Sequence, residues 1–179
     1  MRAFRFKCLI AAVLALGAAA HAASADTQCI EFAWDVRAEH ALFAMQPEVL
    51  QAGKERAATP LLSLDHLYQL HLHPQAEVKF EAAPGGREAA DGAHAGLAHI
   101  KVAVAGAYRI SADQPLWIDV ALGGALLKPQ DFQGRKGCNS PQKIVEFVLP
   151  KDVQLTVQLS NAQSADARIT ITPAPEPAR

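Results

Sequence analysis

Hydrophobic and polar residues alternate with a period of two along most of the chain beyond residue 25. The most regular alternation runs through 153–159, where Val153, Leu155, Val157 and Leu159 alternate with polar side chains. Successive side chains of a β-strand point to opposite faces of a sheet. A period of two therefore predicts strands with one buried face and one face in water.

Similar segments recur between residues that favour turns, such as the pair Gly123 and Gly124. Together they predict about eight or nine short strands and no convincing amphipathic helix. Such a chain folds as an all-β protein, and we predict an antiparallel β-sandwich of jelly-roll-like type. The predicted strands include 30–36, 40–45, 68–72, 116–120, 145–149 and 169–171, with 46–60 as a linker.

The N-terminal segment has the composition of an export signal. Arg2, Arg5 and Lys7 precede an apolar stretch, and small residues end the segment at 23–25. These features are typical of a cleavable secretory signal peptide. The apolar stretch is shorter than the roughly 20 residues that cross a bilayer, so we expect no membrane span after cleavage. The expected divisions are a signal peptide (1–25), a β-sandwich domain (26–172) and a disordered proline-rich tail (173–179), in a mature chain that is periplasmic or secreted.

The charge of the mature chain argues against nucleic acid as a partner. Three of the 17 basic residues belong to the expected signal peptide, and all 18 acidic residues lie beyond it, which leaves 14 minus 18, or −4, with histidine neutral. Phosphate backbones are bound by clusters of lysine and arginine. The expected partner is an unidentified protein or small ligand of the cell envelope.

Cys29 and Cys138 are the cysteines that remain after cleavage, since Cys8 belongs to the signal peptide. An even pair of cysteines in an exported protein favours a disulfide. A bond between them would close a loop of about 110 residues, which the chain-entropy model values at about 4–5 kcal/mol. We therefore predict one disulfide in the domain.

Three segments have the motifs, in the same order, of a bacterial β-sandwich family. They are a Gly-x-Tyr strand at 106–111, an apolar strand at 115–121 and a hairpin at 145–160. In these features the chain resembles prepeptidase C-terminal-type domains, although Leu155 or Val157 stands where that family usually has a tyrosine. The resemblance implies an accessory module that binds or solubilises and has no catalytic residues.

A second resemblance is to short exported bacterial chains that begin with a cysteine, a Trp-Asp-Val segment as at 34–36 and an Ala-Leu-Phe segment as at 41–43. Such chains are sometimes named homogentisate dioxygenase. The enzymes of that name are much longer, are cytoplasmic and hold iron with two histidines and a glutamate. An exported chain of this size could not contain their fold.

His71, His73 and Glu77 form a His-x-His-x-x-x-Glu motif. In a strand, residues i and i+2 project from the same face roughly 7 Å apart, so two imidazoles can share one ion. The spacing resembles the first metal motif of cupins, which bind transition metals with histidine and carboxylate, and His94 or His99 would complete the set. The alternative is that the histidines are ordinary residues of a solvated strand face. The cofactor is therefore unknown, with a transition metal as one hypothesis.

Trp117 and Asp119 place an aromatic ring beside a carboxylate, a pairing that can bind a sugar or another ligand. Trp117 lies on the opposite strand face from Leu116, Ile118 and Val120, so it is either exposed or part of a second core. The chain has no Gly-x-Ser-x-Gly elbow to present a serine nucleophile. These patterns favour a protein without catalytic activity, and they leave open whether the chain is an enzyme.

The leading hypothesis is a non-enzymatic periplasmic or secreted β-sandwich that acts as a binding or accessory module for an unknown ligand. One alternative is a small cupin-like metal-binding protein or dioxygenase that uses the His-x-His-x-x-x-Glu site. Another is an accessory factor of an envelope complex, which would bind its partner through the polar face of Gln154, Thr156 and Gln158.

Overall fold

The computed structural model describes Cys29 and residues 32–175, and the predicted signal peptide and residues 176–179 lie outside the described residues. Helix α1 is Arg37–Phe43, and short 3₁₀ helices occur at Arg56–Ala58 and Gln75–Glu77. The strands are β1 (Glu48–Gln51), β2 (Leu61–Leu62), β3 (Leu67–His71), β4 (His73–Pro74), β5 (His94–Lys101), β6 (Gly106–Ala112), β7 (Trp117–Leu122), β8 (Ala125–Leu126), β9 (Asp131–Gly134), β10 (Lys143–Leu149), β11 (Gln154–Ala162) and β12 (Asp166–Pro173).

The strands form two sheets that pack face to face. The first sheet has the order β1-β3-β12-β6-β10-β9. The second has the order β2-β5-β11-β7-β8, and β4 also pairs with β5. The longer strands alternate between the layers, since β5, β7 and β11 belong to the second sheet and β6, β10 and β12 to the first.

The predicted β-sandwich is confirmed, with two corrections of detail. The described residues form twelve strands rather than about eight or nine. Strands β1, β2, β4, β8 and β9 contain only two to four residues, too few for an alternation to be recognised, and β1 lies inside the expected linker. The sheets are mixed rather than purely antiparallel, because β1 is parallel to β3 and β2 is parallel to β5.

Residues 40–45 were expected to form a strand, but most of them belong to α1. Glu39 and Phe43 are four residues apart, so they lie on one face of the helix. Both are buried, and α1 packs on β12. A short apolar run fits a strand and a helix equally well, which explains the error. The described part of the other expected N-terminal strand, 32–36, also lies outside the strands.

The core lies between the sheets and uses the faces that the alternation predicts to be buried. Leu155, Val157 and Leu159 of β11 are completely buried, and they share one hydrophobic cluster with Ile110 and Phe147 of the first sheet. Burial of one such side chain contributes about 1.5–3 kcal/mol. The inner faces are therefore the main source of stability.

The outer face of the first sheet is covered by the N-terminal segment. Arg109 of β6 is buried, and its Nε donates to Glu146 at 3.0 Å. Its Nη1 donates to the backbone oxygen of Asp35 at 2.7 Å, and its guanidinium lies 4.5 Å from the centroid of the Trp34 ring. Arginine suits this position because it can bind a carboxylate and an aromatic ring at once.

The predicted disulfide is confirmed between Cys29 and Cys138, whose Cα atoms are 5.4 Å apart. Cys138 is buried in the loop between β9 and β10. The bond therefore ties the beginning of the described chain to one edge of the first sheet.

The last strand runs further than expected, since β12 ends at Pro173, the first residue of the predicted tail. Within the described part of the chain, no helix has both the length and the hydropathy needed to cross a membrane.

Replacing both Cys29 and Cys138 by alanine should lower the free energy of unfolding of the mature chain by about 4 kcal/mol. The physical reason is that the unfolded chain regains the entropy lost by closing a loop of 109 residues. Urea unfolding followed by circular dichroism measures the difference from the oxidised wild type. Reductant should destabilise the wild type and leave the variant unchanged, whereas equal stabilities without reductant would contradict the expectation.

Candidate functional site

The predicted metal motif lies where the chain crosses from one sheet to the other. His71 is the last residue of β3 in the first sheet, and His73 begins β4, which pairs with β5 in the second. The Nδ1 atom of His71 bonds the carboxylate of Asp166, whereas Nε2 of His73 lies 2.8 Å from the backbone oxygen of Ala52. The two imidazoles therefore do not share the strand face that the spacing argument assumed.

Glu77 lines a cleft of about 490 Å³ together with His73 and Lys54. Lys54 Nζ donates to Glu77 at 2.5 Å, and this bond with the ammonium charge holds the pKa of Glu77 below its usual value. Across the described ranges, no group of three or more histidine, cysteine, aspartate or glutamate side chains is placed to hold a metal ion. His73 and Glu77 line the same cleft, whereas His71 is bonded to Asp166 and lies outside it. Metal binding by His71, His73 and Glu77 stays a prediction.

His94 and His99, the expected completing ligands, both lie on β5. His94 is paired with Pro74 of β4. His99 is buried, with Nε2 2.9 Å from the backbone oxygen of Arg56 and Nδ1 3.3 Å from the Thr156 hydroxyl. Both ring nitrogens of His99 therefore have partners within the fold.

The covering segment (residues 75–93) lies across the outer face of the second sheet. Gln158 of β11 is completely buried, and its side-chain amide both donates to and accepts from the backbone of Ala82, each at 3.0 Å. Val78 packs with Leu97 of β5 in a second, smaller hydrophobic cluster. Hydrogen bonds and apolar contacts together attach the segment to the sheet.

This attachment bears on the hypothesis that a polar face of β11 binds an envelope partner, which stays a prediction. Thr156 is 1% exposed and Gln158 is 0% exposed, while Gln154 at the strand end remains exposed. A partner could reach Thr156 and Gln158 only by displacing the covering segment. Thr156 and Gln158 bind other parts of the chain itself.

Glu81 anchors the covering segment electrostatically. The Thr156 hydroxyl donates to its carboxylate, and Arg56 Nε lies 3.5 Å from the same oxygen. Burial would raise the pKa of Glu81, but the bonds from Thr156 and the backbone of Gly124 and the charge of Arg56 hold the pKa below its usual value. Glu81 is therefore bound as a carboxylate at neutral pH.

Trp117 and Asp119, the predicted ligand-binding pair, lie on the outer face of β7 beside the covering segment. The indole Nε1 donates to Asp119 Oδ1 at 3.0 Å, and the Gly85 N–H donates to Oδ2 at 2.9 Å. A Cβ atom at Gly86 would lie 2.8 Å from Cγ and Cδ2 of the indole, so glycine is required for this close approach. The pair is brought together as predicted, and Asp119 holds the ring and the covering segment in place.

Lys143 of β10 is the functional candidate that the motifs did not single out. Its Nζ lies 4.6 Å from the centroid of the Trp117 ring and donates to the backbone oxygen of Leu116 at 2.9 Å. Burial lowers the pKa of Lys143, and the charge of Asp119 opposes that shift. The available signal was parity, because Lys143 is two residues from buried Val145 and so falls on the core-facing side of its strand.

A cleft of about 350 Å³, the Trp117 cleft, opens beside β8 and β9, the neighbouring edges of the two sheets. Ile118 and Val145 on its walls are core residues, whereas Phe132 is 66% exposed. Trp117 and Lys143 also line a neighbouring cavity of about 690 Å³, so they stand between the two spaces. The Trp117 cleft is lined by Gly85, Trp117, Ile118, Asp119, Leu126, Leu127, Lys128, Pro129, Phe132, Lys143 and Val145.

Replacing Thr156 by valine should lower the free energy of unfolding by about 1–3 kcal/mol at neutral pH, because the Glu81 carboxylate loses a donor. A carboxylate whose pKa is lowered by folding stabilises the protein above its unfolded pKa of about 4.3 and loses that contribution as the pH falls. The deficit of the variant should therefore shrink in acid. Urea unfolding of the wild type and of the variant at a series of pH values measures this difference in the free energy of unfolding.

Thr170→Val is the matched control, because the Thr170 hydroxyl is buried with no hydrogen-bond partner among the residues described. Its stability should equal or exceed that of the wild type at every pH. A Thr156→Val deficit of the same size in acid and at neutral pH would argue against the role assigned to Glu81.

Replacing Lys143 by methionine should change how the free energy of unfolding depends on pH in alkaline solution. The pKa of Lys143 is lower in the folded chain than in the unfolded chain, where lysine titrates at about 10.4. Between these values the unfolded chain binds more protons, so wild-type stability rises with pH relative to the variant. Urea unfolding across this range measures the difference. Lys151→Met, at an exposed turn, should follow the wild type, and parallel curves for wild type and Lys143→Met would refute the expected desolvation.

Comparisons with protein-family models, with curated proteins and with solved structures found no match to this chain. The resemblance to prepeptidase C-terminal-type domains therefore remains an expectation from the sequence. Function has to be inferred from the geometry of the chain's own residues.

Proposed function

We propose that the chain is a non-enzymatic β-sandwich module that works in the periplasm or outside the cell and holds a small ligand in the Trp117 cleft. The observation that carries this proposal is that the cleft enters the sandwich itself. Core residues Ile118 and Val145 line it together with the exposed ring of Phe132 and the ammonium group of Lys143. Mostly apolar walls with a few placed polar groups are typical of small-molecule sites of this volume.

The polar groups of the cleft are positioned by the fold. Asp119 accepts hydrogen bonds from Trp117 and Gly85, and Lys143 donates to the backbone oxygen of Leu116. Side chains that are already ordered lose little entropy when a ligand binds. This arrangement supports a binding site rather than an incidental surface groove.

The bonding of the candidate acids and bases favours binding over catalysis. His71 is bonded to Asp166, and both ring nitrogens of His99 contact groups of the fold. Each carboxylate oxygen of Asp119 accepts a hydrogen bond, one from Trp117 of the same strand and one from the backbone of Gly85 in the covering segment. These groups hold the structure together, and a general acid or base would instead face the space where a substrate sits.

The disulfide supports the proposed location. Disulfides such as Cys29–Cys138 persist in oxidising compartments and are rare in the cytosol. Together with the signal-like segment at 1–25, this bond supports a periplasmic or secreted module.

The mature chain should bind at least one class of small molecule with one ligand per chain. Thermal melting with a panel of sugars, aliphatic and aromatic acids, alcohols, amines and short peptides identifies the class, and calorimetry measures the affinity. Leu126→Trp places a larger side chain in the cleft and should weaken binding by about tenfold or more.

Val104→Trp is the matched control, because Val104 is 68% exposed and lies outside the residues that line the cleft. It adds the same side chain without filling the cleft, so its affinity should match the wild type. The proposal fails if no class of compound binds or if Leu126→Trp binds as tightly as Val104→Trp.

A further inference from the structure

The Trp117 cleft combines apolar walls with positive charge. Leu126 and Phe132 supply apolar surface at the edges of the two sheets, and Lys143 supplies an ammonium group beside the ring of Trp117. Lys128 also lines the cleft and adds a second positive charge. An apolar ligand alone would give these ammonium groups no negatively charged group to bind.

The carboxylate of the cleft does not cancel this charge. Asp119 is one negative group beside two lysines, and its two oxygens already accept from Trp117 and from the backbone of Gly85. The lining residues therefore carry a net positive charge. A negatively charged ligand is attracted to such a site, and a cationic ligand is repelled.

Lys143 retains the capacity to bind a ligand. An ammonium group carries three N–H donors, and the bond to the backbone oxygen of Leu116 uses one of them. A ligand carboxylate can accept from the others in a charge-assisted hydrogen bond, which is stronger than a neutral bond. The partly buried setting at the sheet edge strengthens the interaction further.

We infer that the Trp117 cleft binds a small monocarboxylic acid with an apolar body, either a ring or a short alkyl chain. Its carboxylate bonds the Lys143 ammonium group, and its body packs on Leu126 and Phe132. This inference rests on the proposed function, because it names the ligand class of the same cleft. With Lys128 and Lys143 positive and Asp119 negative, the lining side chains carry 2 minus 1, or one net positive charge. One carboxylate balances this charge, whereas a phosphate or a dicarboxylate would bring more negative charge than the site carries.

Three compounds with the same phenylpropyl body test the inference by calorimetry on the mature chain. Hydrocinnamate carries a carboxylate, hydrocinnamyl alcohol carries a hydroxyl, and hydrocinnamylamine carries an ammonium group. The affinity for hydrocinnamate should be higher than the affinity for the alcohol by a factor of about ten or more, because a charge-assisted hydrogen bond contributes at least that factor. The amine should bind most weakly of the three.

Variants of Lys143 identify the group responsible. Lys143→Met keeps the length of the side chain without its charge, so it should bring the affinities for acid and alcohol to within about twofold of each other. Lys143→Arg keeps the charge and should restore the preference for the acid. Lys151→Met, at an exposed turn, removes one positive charge elsewhere and should leave the preference unchanged. Circular dichroism melting verifies that each variant is folded.

The outcomes separate this inference from the proposed function. Equal binding of acid and alcohol by the wild type would overturn the ligand class. An acid preference that survives in folded Lys143→Met would overturn the assignment of the carboxylate to Lys143. The wild-type series tests the ligand class even if a variant does not fold. If the acid fails to bind while another class in the panel does, the ligand class is wrong and the binding function stands. If no compound of any class binds, both fail.

Discussion

Gln158 and Ala82 exchange two hydrogen bonds, and this pair fixes the covering segment on the second sheet. A completely buried amide is tolerated on a sheet face only when its donor and its acceptor are both satisfied. The backbone of the covering segment supplies both partners and is thereby held at one position along β11. A few residues further on, the same segment places Gly86 against the ring of Trp117. The wall of the Trp117 cleft therefore depends on an attachment made elsewhere on the sheet.

The first sheet is covered by the same physical means but by a different segment. Arg109 is buried on its outer face, where Glu146, the backbone of Asp35 and the ring of Trp34 surround the guanidinium. The carboxylate of Glu39 also lies 3.7 Å from Nη1, so two negative charges face the buried guanidinium. Removal of Glu146 would break a buried ion pair, which is more costly than the pair itself is stabilising. The disulfide then fastens the beginning of this segment to the loop after β9. On each sheet a buried polar side chain of the outer face, Arg109 or Gln158, thus finds its partners in other segments of the chain rather than in water.

The sequence predicted the inner faces well, because every strand of a sandwich must give one apolar face to the core, as Leu155 does. Its pattern could not show whether the opposite face meets water, since a polar residue such as Gln158 looks the same whether it binds solvent or another segment. The error at the helix that contains Phe43 has a local cause, because a short apolar run fits a strand and a helix equally well. The spacing of His71 and His73 was informative only within a continuous strand, and the chain changes sheets between them. The errors at Gln158 and at the two histidines concern long-range contacts that local periodicity does not encode.

At Lys143 a charged residue occupies a strand position that the alternation assigns to the core. This position lies in the wall of the Trp117 cleft. By parity with Val145 it belongs on the core-facing side of β10, where an apolar residue would pack without desolvating a charge. The fold accommodates the charge by leaving the sheet edges open beside β8 and β9 and by placing the ring of Trp117 and the charge of Asp119 next to it. An apolar side chain at this position would need neither the open sheet edges nor the neighbouring ring and carboxylate. Core packing alone therefore does not explain why a lysine stands there. Local rules are broken most often at functional sites, and for that reason the binding proposal rests on Lys143 and Trp117 rather than on the divided histidine motif.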